Sequence, residues 1–259
     1  MFWHGPPLSR LERLCMSSFV AHGHAVELHV YEEPAGVPRG VTLADAIRIL
    51  PRADLFTHAR SGSLAIFADW FRYRLLHERG GLWVDTDVVC LRPFDYDCTE
   101  IFAWQDERVI NNAVLGLPRG HELARWMADC CERPDRVLPY DSLRTRRRKL
   151  LRRILPGDSR RRTKWGESGP VGLTLAAQHL GYANRALPFW HFYPIHYLNW
   201  RSVFDASLRD NPALVSGSYG LHLWNEMTRQ QPGFDKNARF DAGSLFEQLC
   251  ERYLEPVAQ

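Results

Sequence analysis

Residues 67–91, FADWFRYRLLHERGGLWVDTDVVCL, constrain the fold more than any other stretch of the chain. Phe67, Phe71, Leu75 and Leu76 recur at helical spacing, which predicts a helix with one buried stripe. The Gly80-Gly81 pair ends it, because a left-handed residue costs glycine little. Leu82, Trp83 and Val84 then read as a short apolar strand, followed by Asp85 and Asp87 on either side of Thr86. In extended backbone, residues i and i+2 point to the same side, so the two carboxylates are expected to converge. Like charges that close repel, and burying them is costly unless a cation or a shared proton offsets the repulsion. A hard divalent ion with oxygen ligands, Mn²⁺ or Mg²⁺, is the natural neutraliser, and beside phosphates it needs only one or two protein carboxylates. Asp69 and Arg72 lie three apart on the helix, flanked by Phe67, Trp70 and Phe71. A guanidinium in such a place suits a phosphate, and a carboxylate suits hydroxyl groups.

The flanking segments set this motif in an α/β chain. Phe2 to Gly5 is a first strand entering the loop at Pro6-Pro7, Leu8 to Val20 carries a helical period, and Ala25 to Tyr31 alternates like a strand. Strand, helix, strand predicts a mainly parallel central sheet flanked by helices, with ligands at the carboxyl ends of the strands. Trp3-His4-Gly5 and Asp85-Thr86-Asp87 would both lie at such ends. Leu43 to Leu50 reads as a short helix, Ile101 to Trp104 and the end of the 105–116 run as strands, and Glu122 to Cys131 and Val171 to Leu180 as helices. At 259 residues with 45% hydrophobic content, the chain can bury one large core. It contains no apolar run of 18 residues and no basic start followed by an apolar segment. The expectation is therefore a cytoplasmic protein, peripheral at most on the inner face of a membrane. The cysteines (Cys15, Cys90, Cys98, Cys130, Cys131 and Cys250) show no metal-ligand spacing and read as scattered thiols.

The pattern F-A-D-x-x-R-Y-x-L-L-x-x-x-G-G-L-W-V-D-T-D resembles the DXD-containing sugar transferase family. That family includes the α-1,4-galactosyl- and α-1,4-N-acetylglucosaminyltransferases and, more distantly, the clostridial glucosylating toxins. The resemblance implies a GT-A (Rossmann-like) fold over 1–259 as a single domain. Its donor-binding half would cover about 1–135, a basic insert about 140–164, and an acceptor and metal-closing half about 165–259. It implies that Asp69 and Arg72 contact the donor sugar and diphosphate, and that Asp85 and Asp87 bind Mn²⁺ (or Mg²⁺) shared with the phosphates of a UDP-sugar. Trp3-His4-Gly5 resembles the first strand that contacts the uracil, and Asn111-Asn112-Ala113 the segment lying against the donor sugar. Ser168-Gly169-Pro170 with Leu173-Thr174 resembles the motif near the acceptor, which usually reads T-G-P. His222-Leu223-Trp224-Asn225 resembles the closing H-x-W segment, which makes His222 the third metal ligand and adds Trp224 and Asn225 to the donor site. The implied reaction moves a hexose or N-acetylhexosamine to a hydroxyl of a glycan or lipid-linked acceptor, with retention of configuration. No residue declares itself a covalent nucleophile, so front-face substitution and double displacement both remain open, with Asn112, Gln105, Asp106 and Glu167 as candidate groups beside the sugar.

One segment departs from the pattern. Residues 144–164 hold nine Arg and two Lys against a single acid, Asp158, in a chain whose net charge is only +3. Leu143, Leu150, Leu151, Ile154 and Leu155 fall near one helical face among these arginines, the pattern of a helix on an anionic membrane. A lipid-linked or phosphorylated acceptor explains it as well, and so does plain solvated surface. Specific nucleic-acid binding is disfavoured, since interleaved aromatics are missing. Two other function classes compete: a haloacid dehalogenase-type phosphatase using V-D-T-D, whose motif belongs near the first strand, and a non-catalytic binder of nucleotide sugars or polyanions.

Overall fold

The computed structural model describes residues 1–209 and 213–254. Its elements, in chain order, are β1 (Phe2–Trp3), α1 (Arg10–Ala21), β2 (Val26–Val30), β3 (Val41–Asp45), α2 (Ala65–Arg79), β4 (Gly81–Val84), β5 (Val88–Cys90), β6 (Ile101–Trp104), β7 (Ile110–Leu117), α3 (Glu122–Glu132), α4 (Leu143–Ile154), α5 (Pro170–His179), α6 (Ala213–Ser216), β8 (Gly220–His222), α7 (Asn225–Gln230) and α8 (Leu245–Tyr253). The chain divides into two compact units, each assembled from separate segments: residues 1–45, 84–97 and 188–259 in one, 46–83 and 98–187 in the other. The α/β class with a parallel sheet stands, and the strands are distributed over three small sheets, β1-β2-β3, β4-β7-β6 and β5-β8.

In the first unit β1, β2 and β3 run parallel, with Trp3 opposite Val30 and Leu28 opposite Leu43. Helix α1 starts at a capping box, in which the Ser9 side chain bonds N–H groups of the first turn and Glu12 returns a bond to the Ser9 backbone. It buries Leu11, Leu14, Cys15 and Phe19. Its Ser18 hydroxyl donates to the Cys15 carbonyl and accepts from the N–H of Cys90 at 2.8 Å. That bond ties α1 to β5, the strand that leaves the Asp85-Thr86-Asp87 turn. The helix expected over Leu43 to Leu50 is instead the end of β3 followed by a single 3-10 turn at Ala46–Arg48. Pairing with β2 claims these residues and overrides a weak helical period.

In the second unit α2 buries Phe67, Phe71, Leu75 and Leu76, as their spacing requires, together with Ile66, Trp70 and Tyr73. The helix is thus covered on more than one side, and Asp69 and Arg72 are buried in it. Gly80 caps it with φ +70°, and its N–H returns to the Leu76 carbonyl at 2.8 Å. Strands β6 and β7 form an antiparallel hairpin, and α3, α4 and α5 complete the unit. All six cysteines are free thiols, four of them buried. No helix among the described residues is long and apolar enough to cross a membrane.

Candidate active site

The two units each carry one cluster of the expected residues. In the first, β5 pairs with β8 antiparallel, which puts His222 opposite Val88 and next to Asp87. The backbone is locked there by bonds from Leu223 N–H to the Asp87 carbonyl (2.8 Å) and from His222 N–H to the Phe192 carbonyl (3.1 Å). Asp85 and Asp87 meet by a different local geometry from the extended one expected. Thr86 and Asp87 lie in a tight turn closed by the Val88 N–H on the Asp85 carbonyl at 3.2 Å, so the turn rather than strand alternation aims the carboxylates. One ligand atom each from Asp85, Asp87 and His222 lies within 4.8 Å of the others.

Within this cluster Asp87 is 6% exposed. Its Oδ2 accepts from the Asn225 N–H at 2.7 Å and lies 3.1 Å from His222 Nε2. Burial alone would raise the Asp87 carboxyl, but the imidazole of His222 and the Asn225 N–H outweigh it and hold the group below the usual carboxylate range. The His222 ring rests against Trp224, with centroids 4.2 Å apart. Trp224 itself adopts φ +55°, a left-handed backbone for a bulky residue, and anchors its indole N–H on the Ile195 carbonyl at 2.8 Å. The other ring nitrogen of His222, Nδ1, is buried without a hydrogen-bond partner. Two carboxylates and an imidazole with an unspent buried nitrogen make a donor set that fits a divalent ion.

The second cluster surrounds Asp69. Asn112 Nδ2 donates to Asp69 Oδ1 at 2.8 Å and the Ser168 hydroxyl to Oδ2 at 2.9 Å. Arg72 Nη1 stands 3.4 Å from Oδ1, with its guanidinium 4.9 Å from the centre of the Trp83 ring. Asn112 also donates to the Tyr73 hydroxyl (3.0 Å), which donates to the Ser168 carbonyl (3.0 Å). Burial raises the Asp69 carboxyl above its ordinary value despite Arg72, Ser168 and Asn112. Tyr73 was not singled out from sequence, although it lies one helical turn after Asp69 and so on the same face. Ser168 was read only as part of a motif.

The remaining candidates stand elsewhere. Trp3 donates its indole N–H to the Pro6 carbonyl at 2.9 Å, and the His4 ring lies edge-on to Tyr31. Gln105 and Asp106 shape the β6–β7 hairpin. Gln105 bonds the Asn111 side chain (2.7 Å), and Asp106 accepts from the N–H groups of Arg108 and Val109. Glu167 is engaged by Arg152 at 2.7 Å and by Arg148 at 3.7 Å.

Residues 53–108 match the glycosyltransferase sugar-binding region containing the DXD motif, and residues 161–256 match the alpha 1,4-glycosyltransferase conserved region. Two separate regions of the chain thus resemble the conserved regions of the DXD-containing glycosyltransferases. Lactosylceramide 4-alpha-galactosyltransferase of Pongo pygmaeus is 28% identical over 82% of this chain and 90% of its own length. The Homo sapiens protein of that name is also 28% identical, over 82% of this chain but 56% of its own length. Alpha-1,4-N-acetylglucosaminyltransferase of Homo sapiens is 25% identical over 80% of this chain and 58% of its own. The match thus spans little more than half the length of the two human relatives. Both matched regions contain members of the clusters above: Asp69, Arg72, Asp85 and Asp87 in the first, Ser168, His222 and Asn225 in the second.

Proposed function

We propose that this glycosyltransferase moves a hexose or N-acetylhexosamine from a UDP-sugar to a hydroxyl of a glycan or lipid-linked acceptor, with retention, and that it depends on Mn²⁺ or Mg²⁺. The observation that carries the reading is the convergence of Asp85, Asp87 and His222. These three side chains would hold the ion, which when bound offsets charge on a departing diphosphate. The chain's own groups do the rest. Asp87 fixes the His222 ring through Nε2 and is itself fixed by the Asn225 N–H, so the donor set is organised before any ligand arrives. Asp69 is held by two neutral donors and a guanidinium, which leaves it an aimed acceptor for sugar hydroxyls. Arg72 brings a positive charge suited to a phosphate. Incubation with UDP-glucose, UDP-galactose and their N-acetyl forms tests this directly. Slow release of UDP from one of them is expected with Mn²⁺ and is expected to stop on chelation by EDTA. Equal release with and without the metal sinks the metal-dependent reading.

We further propose that α4 rests on an anionic membrane surface. The helix turns its apolar residues outward, with Leu143 and Ile154 each 76% exposed, while Lys149 and Arg152 are 3% exposed. Arg144, Arg146, Arg147 and Arg153 are exposed among those apolar residues. Leucines facing solvent beside arginines favour the headgroup boundary of a bilayer. Replacing Arg144 and Arg147 by Gln removes about 1 kcal/mol of attraction per charge, a drop of roughly thirtyfold in co-sedimentation with phosphatidylserine vesicles. Unchanged co-sedimentation leaves α4 as ordinary surface.

A further inference from the structure

The inward face of α4 and the segment before α5 enclose a cavity of about 340 Å³, a volume in the range of small-molecule sites. Every residue on its wall belongs to the second unit. Five cations line it, Arg133, Arg136, Arg148, Lys149 and Lys164, against two acids, Asp141 and Glu167. Both acids are already compensated. Lys149 holds Asp141 at 2.9 Å, and Arg152, behind the wall, holds Glu167 at 2.7 Å. Arg133 also faces Asp129 at 3.8 Å and Arg148 stands 3.7 Å from Glu167, yet the five lining cations still outnumber the two lining acids, so the wall keeps an excess of positive charge. Two polar atoms on the wall, Thr163 Oγ1 and Arg148 Nε, are buried without a hydrogen-bond partner, an expensive arrangement unless a ligand supplies one. The indole of Trp165, exposed at this wall, offers a flat apolar face of the kind on which a sugar ring packs.

Ser168 connects this cavity to the donor machinery. Its residue lines the cavity, while its hydroxyl bonds the Asp69 carboxylate assigned above to the donor sugar. Resting on the transferase reading, we infer that the cavity is the acceptor subsite and that it selects an acceptor sugar bearing an anionic group, a phosphate or a carboxylate. A neutral sugar would leave the surplus cations and the unpartnered atoms as they are, whereas an anion within reach of Arg148, Lys164 and Thr163 satisfies them together.

Calorimetric titration of the full chain, with UDP and Mn²⁺ already present to fill the donor side, tests this. Glucose 6-phosphate, glucuronate, glucose and inorganic phosphate are titrated in turn. At least one anionic sugar is expected to bind ten times more tightly than glucose and than inorganic phosphate, and the stronger of the two says whether phosphate or carboxylate is the recognised group. Arg148 is half-buried and Lys164 exposed, so the Arg148→Gln, Lys164→Gln double variant is expected to fold. Its preference for the anionic sugar should fall at least tenfold, and Arg148→Lys should recover part of it. Donor hydrolysis, measured on the same preparations, should be unchanged. Equal binding of glucose and the anionic sugars, or binding unchanged in the double variant, overturns the proposal. Inorganic phosphate binding as tightly as the sugar phosphate does so too, because it reduces the cavity to a simple anion site. Hydrolysis without anionic-sugar preference overturns this proposal alone, while anionic-sugar binding by a chain that hydrolyses no donor overturns the transferase reading and the acceptor assignment with it.

Discussion

Asp87→Ala is expected to remove both sugar transfer and donor hydrolysis, by a factor of about a thousand or more, while the chain still folds. The activity loss follows from the charge this residue supplies to the ion-binding trio, since stabilising a leaving diphosphate is worth several kcal/mol, about 4 for a thousandfold effect. Stability falls as well. The variant strips the Asn225 N–H and His222 Nε2 of their common partner, and each such buried loss costs about 1–3 kcal/mol. Asp87→Asn separates the two effects, because the amide oxygen can still accept from Asn225 while the negative charge is gone. The sign of the pH dependence also follows. The folded-state carboxyl of Asp87 lies below its ordinary range, so its stabilising contribution is present above the ordinary carboxylate value and is lost as pH falls through the lower folded value. The stability gap between wild type and Asp87→Asn should close on acidification. UDP release measured against Mn²⁺ concentration, with urea unfolding at several pH values, checks both parts. Normal turnover by either variant removes Asp87 from the metal site.

Local chemistry explains what could be read in advance. The helix, glycine pair and apolar strand between Phe67 and Val84 were legible because spacing, cap and turn all act within a few residues. The convergence of Asp85 and Asp87 was legible in outcome but not in cause, since a turn closed by Val88 N–H, rather than extended backbone, brings them together. The Asp69 network was out of reach. It joins residues 43 and 99 positions apart, and nothing near Asn112 or Ser168 in the chain states that their side chains meet one carboxylate. The same holds for α4. Its periodicity showed two faces but not which would point inward. That choice follows from Asp141 and Glu167, whose carboxylates hold Lys149 and Arg152 inward and leave leucines to solvent. Charges paired across such distances override the apolar pattern that normally orients a helix.

A large loss of stability should come from a single methyl group at Gly80. This residue has φ +70° and ψ −163°, a backbone region that side chains essentially never occupy. A Cβ built there would lie 2.4 Å from the backbone nitrogen of Arg119 and 3.0 Å from the carbonyl carbon of Pro118. Those are main-chain atoms and cannot rotate aside. They are also pinned, because the Gly120 N–H bonds the His77 carbonyl in the last turn of α2 at 2.9 Å. Gly80→Ala therefore adds overpacking of about 1–3 kcal/mol to a conformational strain of about 1–3 kcal/mol, a total near 4. For a chain of this size that lowers the melting temperature by roughly 10 °C. Gly81 provides the internal control. It too has positive φ, +97°, but a Cβ there meets nothing within 4 Å, so Gly81→Ala bears the strain without the collision. Thermal melting of the two variants side by side should show Gly80→Ala several degrees below Gly81→Ala. Equal melting temperatures would mean that the loop at Arg119 yields, and that the close approach of helix end and loop contributes nothing to holding α2 against β4.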